Sequence, residues 1–180
     1  MENNSISKLE SEDWSFNNES TNNLTHNFHP YPAKFIPQLP RNLILALSKE
    51  GDTILDPFCG GGTTLVEAIL LKRNAIGVDT NPIGVWCSRV KSTKLNDEEL
   101  NTIDLHIKDL TDILTKKEIV NLEMAAPDIK NIDLWFRDSV IKELSYIKKL
   151  ISKILSVKSK EFCEVALSSI IVKVSKQKGE

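Results

Sequence analysis

The chain has 180 residues, of which 41% are hydrophobic and 27% are charged, and its formal net charge is −2. This length suits one domain with a substantial core, and the longest apolar run, "LILAL" at 43–47, is far too short to cross a bilayer. The polar start of the chain has no signal-peptide core, and its three cysteines have neither disulfide nor zinc spacing. We therefore expect a cytoplasmic protein with reduced thiols, no metal site and no membrane segment.

The near-neutral total hides alternating blocks of charge. Residues 95–138 carry five basic and eleven acidic side chains, whereas residues 139–180 carry nine basic and four acidic ones. A basic segment can face a nucleic-acid backbone. Solvated helix faces explain such blocks better when charge is the only signal, so charge alone does not indicate a nucleic-acid partner.

In the first 51 residues the sequence pattern predicts a single helix. Residues 1–25 are rich in Asn, Ser and Glu and predict a flexible arm. Residues 29–40, "HPYPAKFIPQLP", contain four prolines and predict an extended or turning segment rather than a helix. Residues 41–51 then predict a helix that is closed by Gly51.

A compact unit of alternating strands and helices comes next. The pattern predicts a strand, a helix, a second strand and a second helix at 52–56, 63–73, 74–79 and 82–91. In the first of these helices, Leu65, Ala68 and Ile69 have the spacing of a core-facing side. Asn81 is a suitable N-cap in front of Pro82. This order of elements predicts a parallel strand pair with a right-handed crossover.

From residue 96 onward the chain predicts helices alone. Asn96 and Glu99 resemble a capping box. Two apolar stripes that step by three and four residues predict two amphipathic helices that pack together. The stripes consist of Leu100, Ile103, Ile107, Leu110 and Leu114, and of Val140, Leu144, Ile147, Ile151 and Ile154. A third helix is predicted at about 161–175.

The segment "DPFCGGGTT" at 56–64 joins the first strand to its helix. Glycines let a ligand approach the backbone closely, and a helix N-terminus offers free N–H groups to a carboxylate or a phosphate. The spacing matches neither the dinucleotide fingerprint nor the P-loop. Asp79 ends the second strand, where an acid reaches the ribose hydroxyls of an adenosine ligand. An adenosine ligand without a phosphate chain indicates S-adenosylmethionine, and the alternative is a tight turn with incidental glycines.

Several segments resemble one enzyme family. "ILDPFCGGGTTLVEA" and "AIGVDTNP" closely resemble motifs I and II of the DNA amino-methyltransferases, which methylate cytosine N4 or adenine N6. "THNFHPYPAKFIPQLPRNLI" at 25–44 resembles motif X in a branch where that motif precedes motif I, and "VALSSIIVKVSKQ" is similar to the same branch. The resemblance implies an α/β chain with a partial Rossmann-like S-adenosylmethionine-dependent methyltransferase fold. It divides the chain into an arm at 1–25, a cofactor-binding unit at 26–95 and a helical extension at 96–180 that ends before the domain is complete.

The resemblance also implies which side chains contact S-adenosylmethionine. The implied residues are Asp56, Pro57, Phe58, Gly60, Gly62, Thr63, Thr64, Asp79, Thr80, Asn81, His29, Lys34 and Phe35. Within this set Asp79 would bind the ribose, the two threonines would lie near the cofactor carboxylate, and residues 29–35 would close the methionine side. Taken singly, His29 is better explained as a locally hydrogen-bonded loop histidine and Lys34 as a surface lysine. Cys59 lacks the Pro-Cys context of a cytosine-C5 nucleophile, so we expect it to be a small packing residue.

The family's catalytic motif, an Asp, Ser or Asn followed by Pro-Pro and an aromatic residue, has no match in the chain, which contains no Pro-Pro pair. In the family that motif accepts hydrogen bonds from the exocyclic amine and stacks on the flipped base. We therefore expect no catalytic residue in this chain, and we interpret it as a split subunit or a truncated product. The expected partners are DNA and a complementing half, and cytosine N4 is preferred to adenine N6 as the target.

Three other functions remain as alternatives at this point. One is a fragment of an RNA guanine-N2 methyltransferase, against which the "HPYPAKF" segment argues. Another is a cofactor-binding protein without catalysis. The last is an α/β scaffold without any ligand. A half sheet would leave an exposed strand edge and an apolar face, so we expect poor solubility or dependence on a partner.

Overall fold

The computed structural model describes residue 7 and the ranges 9–17, 23–115 and 127–177, without the side chain of residue 114. The chain forms two compact units, Met1–Thr93 and Lys94–Glu180, called unit 1 and unit 2 below. The predicted arm therefore lies partly outside the described residues. Within its described part, Trp14 and Phe16 make an edge-to-face ring contact with centroids 5.9 Å apart.

Unit 1 contains the predicted parallel strand pair. Its elements in chain order are α1 (Gln38–Leu47), β1 (Thr53–Asp56), α2 (Thr63–Leu70), β2 (Asn74–Gly77) and α3 (Pro82–Ser92). The strands β1 and β2 pair in parallel, from Thr53 opposite Asn74 to Asp56 opposite Gly77. The predicted N-cap is confirmed, because the Asn81 side chain accepts a hydrogen bond from the Ile83 amide.

Helix α1 differs from its predicted bounds. It begins at Gln38, inside the segment that we expected to be extended, and it ends at Leu47 rather than near Gly51. Pro40 is tolerated because it lies in the first turn, where a proline breaks no helical hydrogen bond. The helix ends where the Ser48 hydroxyl donates a hydrogen bond to the Ile44 carbonyl, with 2.6 Å between the two oxygens. Gly51 comes later and has a left-handed backbone conformation, with φ +89°.

Helix α2 is the centre of unit 1 and contacts α1, α3 and both strands. Leu65 and Ala68 are buried as predicted, but the prediction for Ile69 is wrong, since 45% of that residue is exposed. The buried side of α2 instead includes Val66 and Glu67. Because α2 is covered on more than one side, its buried surface is wider than a single apolar stripe predicts.

The sheet is covered on only one face by the described residues. Leu55 and Ile76 lie opposite each other in the register, and they are 61% and 52% exposed. The described part of the fold is therefore a mixed helix–strand unit with a small parallel sheet of two strands. None of its helices has the length and apolar character needed to span a membrane.

Unit 2 consists of helices in its described part. They are α4 (Asp97–Thr115), the short α5 (Ile132–Trp135), α6 (Asp138–Ser152) and α7 (Val157–Ile170). The three long helices contact one another in pairs, which confirms the predicted packing of the two amphipathic helices. The buried apolar residues of unit 2 are Ile103, Ile141, Ile151, Ile154 and Val165.

Some details of unit 2 were predicted wrongly. Leu100 and Ile107 belong to the predicted apolar stripe but are exposed, because α4 buries a narrower face around Ile103. The third helix begins at Val157 rather than near 161, since the Ser156 hydroxyl caps it by accepting from the Ser159 amide. The side chain of residue 114 lies outside the described residues.

The predicted capping box is present at the start of α4. The Asn96 side chain accepts from the Glu99 amide at 2.8 Å, and the Glu99 carboxylate accepts from the Asn96 amide at 2.8 Å. We expect Asn96→Ala to lower the free energy of unfolding by about 1 kcal/mol, because it leaves a helix amide without its acceptor. Urea denaturation measures this loss.

Asn101→Ala is the matched control for this prediction. Asn101 lies exposed inside α4, where alanine is the better helix former. The control should therefore leave stability unchanged or raise it slightly. Equal losses in Asn96→Ala and Asn101→Ala would show that the capping box contributes nothing.

Candidate cofactor site

The candidate site lies at the carboxyl edge of the two strands, where β1 runs into the glycine turn, 57–62. A cleft of about 80 Å³ opens there. The predicted site residues that line it are Asp56, Phe58, Gly60, Thr63, Thr64, Lys34 and Phe35. The predicted residues that do not line it are Pro57, Gly62, Asp79, Thr80, Asn81 and His29. Tyr31, Ala33, Cys59 and Gly61 also line the cleft. Tyr31 and Ala33 belong to the predicted 29–35 stretch, whereas Cys59 and Gly61 were not assigned to the site.

Asp79 connects the end of β2 to the glycine turn and to the start of α3. One carboxylate oxygen accepts from the Gly60 amide at 2.7 Å, and the other accepts from the Asn81 amide at 2.8 Å. These backbone hydrogen bonds lower the pKa of Asp79 below its ordinary value, and the bond from the Asn81 amide contributes most. The carboxylate is therefore charged at neutral pH, and each of its oxygens has a further lone pair for a ligand hydroxyl.

The glycine turn is held by hydrogen bonds at several points. The Asp56 carboxylate accepts from the Phe58 amide at 3.1 Å, the Cys59 amide donates to the Val78 carbonyl at 2.9 Å, and the Gly62 amide donates to the Cys59 carbonyl at 2.7 Å. The backbone has positive φ angles of +46° at Gly60 and +81° at Gly62. This local geometry favours glycine at both positions without any ligand.

The turn delivers the chain into the N-terminus of α2. Helix α2 begins at Thr63, and its N-cap Gly62 has no side chain to act as a cap. The amides of Thr63 and Thr64 have no acceptor among the residues that the structure describes. Both threonines line the cleft, so this end of the helix offers N–H groups to an anionic ligand atom.

Tyr31 accounts for three of the glycines. A Cβ atom added at Gly60 would lie 3.0 Å from Tyr31 Cε1, one added at Gly61 would lie 3.1 Å from Tyr31 Cβ, and one added at Gly84 would lie 2.7 Å from the Tyr31 hydroxyl. The ring therefore lies in a slot that only residues without side chains can form. In the sequence, the aromatic residue between two prolines in "HPYPAKF" was the available signal for this contact.

Gly62 is required by a different neighbour. A Cβ atom added there would lie 2.7 Å from both Cα and Cβ of Ser88, on α3. The start of α2 therefore packs directly against the backbone of α3. The glycine turn thus serves packing within the protein as well as the approach of a ligand.

The segment that precedes α1 lies against this turn and brings in buried polar groups. Lys91, on α3, donates to the Gly61 carbonyl at 2.6 Å and to the His26 carbonyl at 3.3 Å. His26 Nε2 lies 2.8 Å from a carboxylate oxygen of Glu67, and both side chains are almost completely buried. The second oxygen of Glu67 lies 3.8 Å from Arg41 Nε. None of these contacts was predicted from the sequence, although the segment itself was expected to lie at the site.

The remaining predicted residues of this segment have mostly local partners. The His29 ring contacts the Pro30 carbonyl through Nδ1 at 2.7 Å, as a locally hydrogen-bonded loop histidine does. Lys34 is exposed and donates to the His26 carbonyl at 3.1 Å. Phe35 lies at the mouth of the cleft and is more than half exposed.

Cys59 has the environment of a packing residue. It is buried, and burial raises the pKa of its thiol. A raised pKa disfavours the thiolate, which is the nucleophilic form of cysteine. The described residues contain no cluster of His, Cys, Asp and Glu that would hold a metal ion.

Comparison with known proteins supports the family resemblance found in the sequence. Residues 2–83 match the family described as DNA methylase. The Type II methyltransferase M.MvaI of Kocuria varians is 33% identical over 169 residues, which is 89% of this chain and 36% of that protein. The Type II methyltransferase M.MjaII of Methanocaldococcus jannaschii is 38% identical over 91 residues, or 51% of this chain and 17% of that protein.

An RNA-modifying protein is also similar. The tRNA (guanine(10)-N2)-dimethyltransferase of Methanocaldococcus jannaschii is 39% identical over 101 residues, or 56% of this chain and 27% of that protein. No solved structure matches the chain significantly. The family match and the Type II relatives support a member of the DNA amino-methyltransferase family. It spans about a third of M.MvaI and less of the other two relatives.

The tight packing at Gly62 can be separated from its backbone strain. Gly62 and Gly51 have similar φ angles, +81° and +89°, but an added Cβ has nothing within 4 Å at Gly51. We expect Gly51→Ala to cost about 1–2 kcal/mol of unfolding free energy through left-handed strain alone. Gly62→Ala should cost about 1–3 kcal/mol more because of the collision with Ser88.

Chemical denaturation of the two variants side by side measures the difference. If Gly62 is packed against Ser88, Gly62→Ala should lose more unfolding free energy than Gly51→Ala. Equal losses in Gly62→Ala and Gly51→Ala would contradict it, because only the shared backbone strain would then be present.

Proposed function

We propose that this chain is the cofactor-binding part of an S-adenosylmethionine-dependent DNA amino-methyltransferase of a restriction–modification system. The observation that carries the proposal is the doubly hydrogen-bonded carboxylate of Asp79 beside the glycine turn, at the carboxyl edge of two parallel strands. Ligands of open α/β sheets bind at this edge. The proposed target is cytosine N4, with adenine N6 as the other amine that the family methylates.

The polar groups of the site suit the two ends of the cofactor. The Asp79 carboxylate has lone pairs left for the ribose hydroxyls, and the amides of Thr63 and Thr64 suit the methionine carboxylate. Phe58 is 83% exposed and offers an apolar ring beside the cleft. S-adenosylmethionine, when bound, supplies an electrophilic methyl group on a sulfonium. The role of this chain is to hold that group in line with an incoming amine.

The cleft is smaller than the whole cofactor requires. Its volume of about 80 Å³ compares with roughly 300–1,000 Å³ for pockets that enclose small molecules. The described residues therefore form one wall of the site. The proposal assigns the opposite wall, and the Pro-Pro motif that accepts the amine hydrogens, to residues outside these 180.

The surface of unit 1 supports a complementing part of the domain. Strand β1 pairs with β2 alone among the described strands, so one of its edges has free backbone groups. An apolar groove of about 320 Å³ runs between α1 and β1, and Leu47 and Leu55, which line it, are both more than 60% exposed. We propose that further strands of the methyltransferase sheet pair with β1 here, which would extend unit 1 into a Rossmann-like fold.

A second candidate function is methylation of guanine N2 in RNA. The observation that favours it is the similarity to the tRNA (guanine(10)-N2)-dimethyltransferase, which covers 56% of this chain. The two proposals share the cofactor site and differ in the substrate. Methyl transfer from labelled S-adenosylmethionine to DNA or to tRNA, after the complementing part is added, distinguishes them.

We expect the chain to bind S-adenosylmethionine in isothermal titration calorimetry, and we expect Asp79→Asn to weaken binding at least tenfold. The variant removes the charge and replaces one acceptor oxygen by an NH₂ group, which cannot receive a backbone N–H. Asp52→Asn is the matched control, because the Asp52 carboxylate also accepts a backbone amide, that of Lys49, but precedes β1. Thermal melts of both variants report any loss of folding. Equal affinity in wild type and Asp79→Asn would contradict the assignment of Asp79 to the ribose.

Methyl transfer itself should require more than these 180 residues. The chain contains no Pro-Pro pair, so we expect no transfer of labelled methyl groups to DNA by the purified chain. Adding a polypeptide that carries the Pro-Pro-aromatic motif should restore transfer. A normal rate with the chain alone would show that the proposed division of the active site is wrong, and cofactor binding without transfer in either mixture would favour a non-catalytic protein.

A further inference from the structure

Lys91 is a buried cation to which the proposed function assigns no role. Its residue exposure is 5%, and no carboxylate lies within ion-pair distance of it among the described residues. Burial, with a smaller contribution from the nearby charge of Lys34, lowers the pKa of Lys91 to about 8. Such a group is costly to bury unless strong acceptors stabilise it.

The acceptors of Lys91 belong to two separate segments of unit 1. Its ammonium group donates to the Gly61 carbonyl in the glycine turn at 2.6 Å and to the His26 carbonyl at 3.3 Å. The Thr25 hydroxyl in turn donates to the Lys91 carbonyl at 3.1 Å. One side chain of α3 therefore ties the turn to the segment that precedes α1.

The position of the Gly61 carbonyl affects the geometry of the start of α2. It belongs to the planar peptide that joins Gly61 to Gly62, directly before the first amides of α2. Tyr31 packs against Gly60 and Gly61, so the segment before α1 holds the turn from a second direction. The orientation of this peptide affects the direction of the amides of Thr63 and Thr64, which follow it in the chain.

We propose that Lys91 is a positioning residue of the cofactor site, which holds the Gly61 carbonyl so that the N-terminus of α2 is preorganised for the cofactor carboxylate. The inference rests on the proposed function for its ligand. Lys91 acts through the turn and is not assigned any contact with the cofactor. A preorganised turn loses less conformational freedom on binding, which increases affinity.

The charge state of Lys91 gives the proposal a pH signature. Because burial lowers the pKa of Lys91 to about 8, the closed turn favours the neutral amine relative to solvent, and by linkage the closed turn gains stability as pH rises through this value. The neutral amine keeps N–H donors for the Gly61 carbonyl and no longer has the cost of a buried charge. The titratable groups that act on Lys91 are Lys34 and Cys87, and burial raises the pKa of the Cys87 thiol. The contact with His26 is to its backbone carbonyl.

The test compares wild type with Lys91→Met, and uses Lys49→Met as the control for loss of an exposed lysine in the same unit. Amide hydrogen exchange is followed at Cys59, Gly60 and Gly62, whose amides all donate within the site. We expect their protection factors to fall at least tenfold in Lys91→Met. The Asn74 amide, which donates to the Asp52 carbonyl at the other end of the sheet, should be unchanged.

Calorimetric titration with S-adenosylmethionine gives the functional readout. At pH 7 we expect Lys91→Met to bind at least tenfold more weakly than wild type, and Lys49→Met to bind equally well. Between pH 7 and 9.5 the difference between wild type and Lys91→Met should grow, because deprotonation of wild-type Lys91 removes the cost of its buried charge and leaves its N–H donors in place. A difference that is constant with pH, or equal affinities at pH 7, would overturn the proposal.

Two further outcomes, a variant that does not fold and a wild type that does not bind the cofactor, can be distinguished from failure of the proposal. If Lys91→Met fails to fold, the protection factors of the same three amides in wild type still test the proposal, since they should rise between pH 7 and 9.5 while that of Asn74 stays unchanged. Constant wild-type protection would overturn it. If wild type binds no S-adenosylmethionine, the proposed function fails for this chain, and the exchange data decide alone whether Lys91 holds the turn.

Discussion

Two backbone amides, those of Gly60 and Asn81, converge on the carboxylate of Asp79, and the arrangement of unit 1 depends on this convergence. It ties the glycine turn to the end of β2 and to the start of α3, so that three pieces of chain meet at one point of the sheet edge. Since both hydrogen bonds favour the charged carboxylate, a negative charge is fixed at the place where the proposed ribose would bind.

The polar and apolar groups of unit 1 are distributed in an unusual way. His26, Glu67 and Lys91 are buried, whereas Leu55 and Phe58 are largely exposed. The buried polar groups stabilise the contact between the glycine turn and the segment before α1, where the protein is tightly packed around Tyr31. The exposed apolar groups lie on the bare sheet face and beside the cleft, where burial by further protein would release about 25 cal/mol for each Å² of apolar surface.

This distribution agrees with the comparisons. The chain covers about a third of M.MvaI, and the family match ends just after the second strand. Unit 1 therefore contains the features that can form locally, namely a strand pair, its crossover helix and the turn between them. Under the proposed function, a second wall for the cofactor and the acceptors for the target amine come from residues outside these 180.

Local sequence patterns predicted the parallel strand pair, the Asn81 cap and the capping box of Asn96 and Glu99, and the motifs gave the resemblance to the family. These follow from periodicity, cap chemistry and the glycine turn, which depend on residues close together in the chain. The tertiary structure alone decided that Ile69 is exposed and Glu67 buried, that α1 begins at Gln38, that Tyr31 fills a glycine slot and that Lys91 holds Gly61. Apart from the start of α1, each of these depends on contacts between segments that are far apart in the chain. Lys91 and Gly61, for example, are separated by 30 positions, and no local pattern encodes such a contact.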